Sequence, residues 1–147
     1  MVDVGAKQVT NRIAIAGAKV RVGSQLIQMI RDNELKKGDV LTVAKLAGIM
    51  ATKKTHDLIP LCHNITISFA DVQLKLDDEC VVITSEVRCN GRTGVEMEAL
   101  TAVAVAALTV YDMCKAISHD IIIEEVRLWK KSGGKSLKMI LQEQEQL

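Results

Sequence analysis

Apolar and polar residues alternate in short runs along most of this chain, with one long apolar exception. Residues 12–22 read as a strand in which Ile13 and Ile15 share one parity and Val20 and Val22 the other, so a bulge is expected at Gly17. Ser24 is placed to cap a short helix ending at Arg31, with Leu26, Ile27 and Ile30 on its apolar side. Asp39 is placed to cap a second helix carrying Val40, Val43, Ala44, Ala47 and Ala51, followed by a loop before Pro60. Ile65, Ile67 and Phe69 alternate in one register and Val72, Leu74 and Leu76 in the other, which predicts a bulge at Ala70 and Asp71. The acidic turn Asp77-Asp78 then leads into 81–87 and completes a hairpin. Residues 96–118 read as one long helix, rich in Ala, Leu and Met and apolar around most of its circumference. Such a helix must be covered on more than one side. Residues 121–129 form the last strand, and 137–147 a polar, flexible tail. The order β-α-α-β-β-α-β predicts an α+β fold, a ferredoxin-like split βαβ arrangement with an extra helix, its helices packed on an antiparallel sheet.

At 147 residues the chain suits a single domain, 1–147, able to bury a self-sufficient core. One Phe, one Tyr and one Trp cannot furnish a base-stacking platform for single-stranded nucleic acid. A net charge of +1 lacks the phosphate-neutralising surplus of a general duplex binder, though a small anionic ligand needs only a local cation cluster. No uninterrupted apolar run reaches membrane-spanning length, and the start shows neither the basic nor the apolar region of a leader peptide. Cys62, Cys80, Cys89 and Cys114 are scattered without a Cys-x-x-Cys pair, which suits reduced, packed thiols in a cytoplasmic protein better than disulfides or zinc.

Several polar groups stand where packing alone would not put them. Asp112 and Lys115 share a face of the apolar helix; an exposed ion pair and an acid/base pair shifted by a partly dry site fit equally well. Glu96 and Glu98 open that helix, where acidic side chains suit the dipole. A two-residue step turns a helix by about 200°, so the two are not expected to face one ligand, and Glu98 lies roughly 21 Å from Asp112 along the axis. Lys36-Lys37-Gly38-Asp39, before a helix start, suits either an anion or a solvated turn. In Lys130-Lys131-Ser132-Gly133-Gly134-Lys135-Ser136, two glycines would let amides approach an oxyanion, but the spacing is not that of a Walker loop. Gly91-Arg92-Thr93-Gly94 follows a strand, unlike the helix-flanked GxxG clamp of a KH module. His63, beside Pro60-Leu61-Cys62, is equally compatible with a buried histidine and a pocket-lining one.

In order along the chain, Met1-Val2-Asp3-Val4, Lys37-Gly38-Asp39-Val40, Ala47-Gly48-Ile49, Asp57-Leu58-Ile59-Pro60-Leu61-Cys62-His63, Thr93-Gly94-Val95-Glu96-Met97-Glu98-Ala99-Leu100-Thr101, Tyr111-Asp112-Met113-Cys114-Lys115-Ala116 and Lys131-Ser132-Gly133-Gly134-Lys135-Ser136 closely resemble the cyclic pyranopterin monophosphate synthases of molybdenum cofactor biosynthesis. The resemblance implies a ferredoxin-like lyase that converts a 3′,8-cyclised dihydroguanosine triphosphate to cyclic pyranopterin monophosphate and pyrophosphate. It implies Asp112 and Lys115 as the catalytic pair, and Lys37, His63, Lys131 and Arg12 as substrate-binding residues directed at the triphosphate. Met97 and Glu98 would hold the base-derived part, with Leu61, Cys62 and Glu96 beside them. It further implies a homohexamer, a trimer of dimers with sites between subunits, no resident metal or cofactor, and a divalent cation such as Mg2+ serving only to neutralise the triphosphate. The rival class is a nucleotide-binding regulator without turnover, for which an acid/base pair would be superfluous.

Overall fold

A computed structural model describes residues 1–135 and 139–140. Its elements run β1 (Thr10–Arg21), α1 (Ser24–Arg31), α2 (Val40–Thr52), α3 (Thr55–Leu58), β2 (Ile67–Leu76), β3 (Cys80–Gly91), α4 (Glu96–Cys114), β4 (Ile122–Ser132) and β5 (Met139–Ile140). The strands form one sheet in the order β2-β3-β1-β4-β5, every neighbouring pair antiparallel. β1 and β2 therefore point the same way with β3 between them. This is the split βαβ arrangement expected from the element order, with α4 and α2 packed on each other and the helical layer lying on one face of the sheet.

Ala14, Ala16, Ala18 and Val20 of β1 are buried, as are Ala99, Ala102, Val103, Ala106, Ala107 and Val110 of α4, and all belong to one core. The inward stripe of β1 thus keeps a single parity, and Ile13 and Ile15 are half-buried on the other side. The bulge expected at Gly17 is not in β1, whose pairing with β3 runs unbroken from Thr10 to Arg21. The register shifts fall between β1 and β4, at Ile15/Ala16 and Gly17/Lys19, and each places the extra residue in β4. Gly17 has a different reason: a Cβ there would run into the Trp129 ring.

Asp39 caps α2 as expected, its Oδ1 accepting from Thr42 N at 3.1 Å and its Oδ2 from Thr42 Oγ1 at 2.6 Å. Ser24 does not cap α1. It is the first helical residue, and Gly23 holds the cap position at φ 87° without a side-chain bond. The loop before Pro60 contains α3, whose buried Thr55 hydroxyl donates back to Ala51 O at 3.1 Å. The β2 bulge lies between Ile67 and Phe69 rather than at Ala70 and Asp71, where the Ser68 hydroxyl donates to Arg88 O across the strands at 3.0 Å. Gly48 brings α2 close to α4, since a Cβ there would lie 2.9 Å from Ala102 O and 3.0 Å from Val72 Cγ2. The Ser85 hydroxyl donates to Ala99 O at 2.8 Å, tying β3 to α4 inside the core.

α4 ends at Cys114, four residues short of the expected end, so Lys115 is its cap residue. Beyond it the Ser118 hydroxyl accepts from Asp120 N at 3.1 Å, a local turn that competes with helix continuation. By length and composition α4 could cross a membrane, but half of it is buried within the fold. Exposed apolar side chains remain on the helical layer, among them Leu46, Met50 and Leu108. β4 extends through Ser132 and takes Lys130 and Lys131 into the sheet, where they pair with β5. The expected tail therefore contributes a short strand; its other residues, 137–138 and 141–147, together with Ser136, lie outside the described residues.

Candidate active site

The expected site residues gather at the two ends of α4. At its C-terminal end, Asp112 sits between two lysines: Lys37 Nζ lies 2.6 Å from Oδ2 and also donates to the Asp112 carbonyl at 3.2 Å, while Lys115 Nζ lies 2.9 Å from Oδ1. Lys37 arrives from the turn before α2, where Gly38 at φ 98° lets its N–H bond to Leu35 O at 3.0 Å. All three side chains are about half exposed. The site is therefore not dry, and its pKa values move for another reason. Hydrogen bonds from Lys115 and Lys37 hold the Asp112 carboxyl down at about 2, and the bond to Asp112 raises the Lys115 ammonium above its ordinary value. Near neutral pH Asp112 is thus a carboxylate that accepts, and Lys115 an ammonium able to donate a proton.

At the N-terminal end of α4 a cleft of about 370 Å³ is lined by Leu61, Cys62, His63, Thr93, Gly94, Glu96, Met97 and Glu98, and by Val2, Val4 and Lys7 of the N-terminal segment. Burial raises the Glu98 carboxyl, the Glu96 charge adds to this, and Glu98's own backbone N–H opposes it. Burial likewise pushes the Cys62 thiol up, with Glu98 adding to it, so Cys62 is a wall rather than a nucleophile. Glu96 and Glu98 do face one cleft, against the expectation from a two-residue helical step. Glu96 is the first helical residue, and its carboxylate folds back over Gly94, where a Cβ would collide with it. There it pairs with Lys131 Nζ at 2.9 Å.

Arg12 approaches the same end, its Nε donating to Gly91 O at 3.3 Å. Gly133 and Gly134, both at positive φ, lie against it: a Cβ on Gly134 would meet the Arg12 guanidinium, and one on Gly133 would meet Asn11 O. The glycine pair is thus explained by the close passage of the chain over β1. His63 Nε2 lies 2.7 Å from Val2 O; because a carbonyl only accepts, Nε2 carries the proton. A second cleft, between α2 and β2 and lined by Thr42, Lys45 and Gln73 among others, contains none of the expected residues. Among the described residues, no three His, Cys, Asp or Glu side chains are placed to share a metal ion. The wall formed by Val2, Val4 and Lys7 was missed from the sequence. Its only signal was the matching string Met1-Val2-Asp3-Val4.

Fourteen residues of helix separate Glu98 from Asp112, so one chain does not bring its two clusters together. They stand roughly 21 Å apart along the axis. The model of the MoaC family matches residues 1–134. The chain is 64% identical over 137 residues to "Molybdenum cofactor biosynthesis protein 1" of Drosophila melanogaster, covering 92% of this chain but 24% of that relative. It is 54% identical over 136 residues to "Cyclic pyranopterin monophosphate synthase" of Peptoclostridium acidaminophilum, covering 92% of this chain and 87% of the relative. The like-named protein of Nitratidesulfovibrio vulgaris is 53% identical over 138 residues, with 92% and 86% covered. The chain spans about a quarter of the insect relative and most of each bacterial one. With these matches running through both polar clusters, the chain belongs to the MoaC family.

Proposed function

We propose that this protein is a cyclic pyranopterin monophosphate synthase of molybdenum cofactor biosynthesis, a lyase that converts the 3′,8-cyclised dihydroguanosine triphosphate to cyclic pyranopterin monophosphate and releases pyrophosphate. The observation that carries this reading is Asp112 held between Lys37 and Lys115 at hydrogen-bond distance, a ready acid/base cluster that a mere binder would not need. The names of bacterial relatives of comparable length support it.

Lys115, kept protonated by Asp112, donates protons to ring nitrogen and departing groups, and Asp112 orients water for ring opening. A ribose-derived hydroxyl then attacks the α-phosphorus and pyrophosphate leaves, a step that asks for charge stabilisation rather than a nucleophilic side chain. Lys37, Lys131 and Arg12 serve the triphosphate, and His63 serves it through the cleft lining that its bond to Val2 O holds in place. Glu98 accepts from the guanidine-like N–H edge of the base-derived ring, and Met97, Leu61 and Cys62 wall it. Three aromatics in the whole chain leave that ring to polar and aliphatic contacts.

The separation of the two clusters supports an active site shared between subunits, one supplying Asp112 and Lys115 and its neighbour Glu98 and Met97, within a homohexamer. Exposed Leu46, Met50 and Leu108 are available to such contacts. The reaction requires no resident cofactor, and a divalent cation such as Mg2+ enters with the triphosphate. Four free cysteines support a cytoplasmic setting.

Supplying the cyclised triphosphate should yield released pyrophosphate together with a pterin that fluoresces after oxidation. Binding of the nucleotide without either product would overturn the reading in favour of a regulator. A monomer that stays fully active in dilute sedimentation would overturn the shared site.

A further inference from the structure

Residues 1–7 form a wall of the cleft without belonging to the sheet, since β1 begins only at Thr10. Met1 and Val2 are nearly three-quarters exposed, so apolar burial does little to hold this segment. Internally it is turned by Gly5 N donating to Asp3 Oδ1 at 2.8 Å and Lys7 N donating to Val4 O at 3.0 Å. Among the described residues, the one hydrogen bond seen to join residues 1–7 to the rest of the chain is from His63 Nε2 to Val2 O. His63 has thereby committed its Nε2 proton to the protein itself. The cleft's charged lining is otherwise Glu96 and Glu98, and Lys7 is the only cation among the residues lining it. Lys131 is engaged by Glu96, whereas Lys7 is in no ion pair among the described residues.

We infer that residues 2–7 are a strap latched by His63, and that the strap's task is to present Lys7 as an anion-recognising cation at the mouth of the cleft. His63 is then a positioning residue acting through the strap, and the ligand group Lys7 receives is a polyphosphate. The two carboxylates suit the N–H edge of the same ligand. The identity of the anion as a polyphosphate rests on the proposed function; the latch does not.

Two measurements on the full chain test this without requiring turnover. Hydrogen exchange over residues 2–7 reads the latch. His63→Ala should deprotect the segment, and His63→Gln, whose amide can donate to the same carbonyl, should restore protection. Inorganic triphosphate binding reads the cation. Lys7→Met should weaken it about tenfold or more, the usual scale for losing one charge-assisted contact, and Lys7→Arg should retain it. Because His63 acts through Lys7, His63→Ala/Lys7→Met should bind triphosphate no more weakly than Lys7→Met alone. Unchanged exchange in His63→Ala overturns the latch, and unchanged triphosphate affinity in Lys7→Met overturns the cation's role. If wild type makes no product yet these shifts appear, the proposed function fails and the strap stands.

Discussion

Lys37 Nζ lies 2.6 Å from Asp112 Oδ2, bridging the turn before α2 and the last turn of α4 across 75 residues of chain. Since Lys115 holds the other carboxylate oxygen, neither lysine alone sets the state of Asp112. The carboxyl is held at about 2, below its ordinary value near ~4. Its stabilising effect is thus complete above the ordinary range and lost as pH falls toward the folded value. An NMR titration should place the Asp112 midpoint near 2 and move it upward in both Lys37→Met and Lys115→Met. An ordinary midpoint in the wild type would dissolve the cluster on which the proposed chemistry depends.

Lys115→Ala should preserve the far-ultraviolet dichroism and melting temperature, because the side chain is half exposed and the cap position uses only its backbone N–H, bonded to Tyr111 O. Its product formation should fall by at least ~100-fold, the usual scale for losing a proton-transfer group. Turnover at the wild-type rate would remove Lys115 from the mechanism.

Glu98 titrates the other way. Burial raises its folded pKa, so burying the ionised form costs stability; the penalty is absent below the ordinary carboxylate range and grows as pH rises through the folded value. Glu98→Gln should therefore melt higher than wild type at neutral pH and lose that advantage below pH ~4, while turning substrate over more slowly. Thermal scans across that range check the first part and initial rates the second. A lower melting temperature at neutral pH would mean the carboxylate is satisfied where it sits.

Gly48→Ala tests the approach of α2 to α4. The new methyl would meet the Ala102 carbonyl at 2.9 Å, a backbone atom that yields little. Overpacking should outweigh the helix-propensity gain of alanine for a net loss of roughly 1–2 kcal/mol, measurable by urea unfolding. Equal or greater stability would show that the helices can separate without cost.

What proved legible in the sequence was mostly local. Asp39 acts on Thr42, three residues on, and the Asp77-Asp78 turn closes a hairpin between strands that follow one another. Asp112 and Lys115 could be paired because helical spacing puts them on one face. Gly17 was misread because its reason, the Trp129 ring, comes from a strand at the far end of the chain. Lys37 was expected only as a triphosphate-binding residue, and its contact with Asp112 escaped the sequence because Lys37 and Asp112 lie 75 residues apart. Glu96 defeated the helical-wheel argument because a first-turn side chain is free to bend back over Gly94, where interior positions are not. Lys7 escaped notice because periodicity says nothing about a segment outside every helix and strand.

The core that seats α4 is rich in alanine: Ala14, Ala16 and Ala18 of β1 and Ala99, Ala102, Ala106 and Ala107 of α4 are all buried in it. Such side chains have no rotamers to exchange, and a close-packed contact without them has no soft coordinate in which to dissipate strain. α4 is therefore seated like a gauge block. A displacement imposed at Glu98 must reappear at Asp112, so the calibration of both polar clusters is entrusted to methyl groups that meet no ligand.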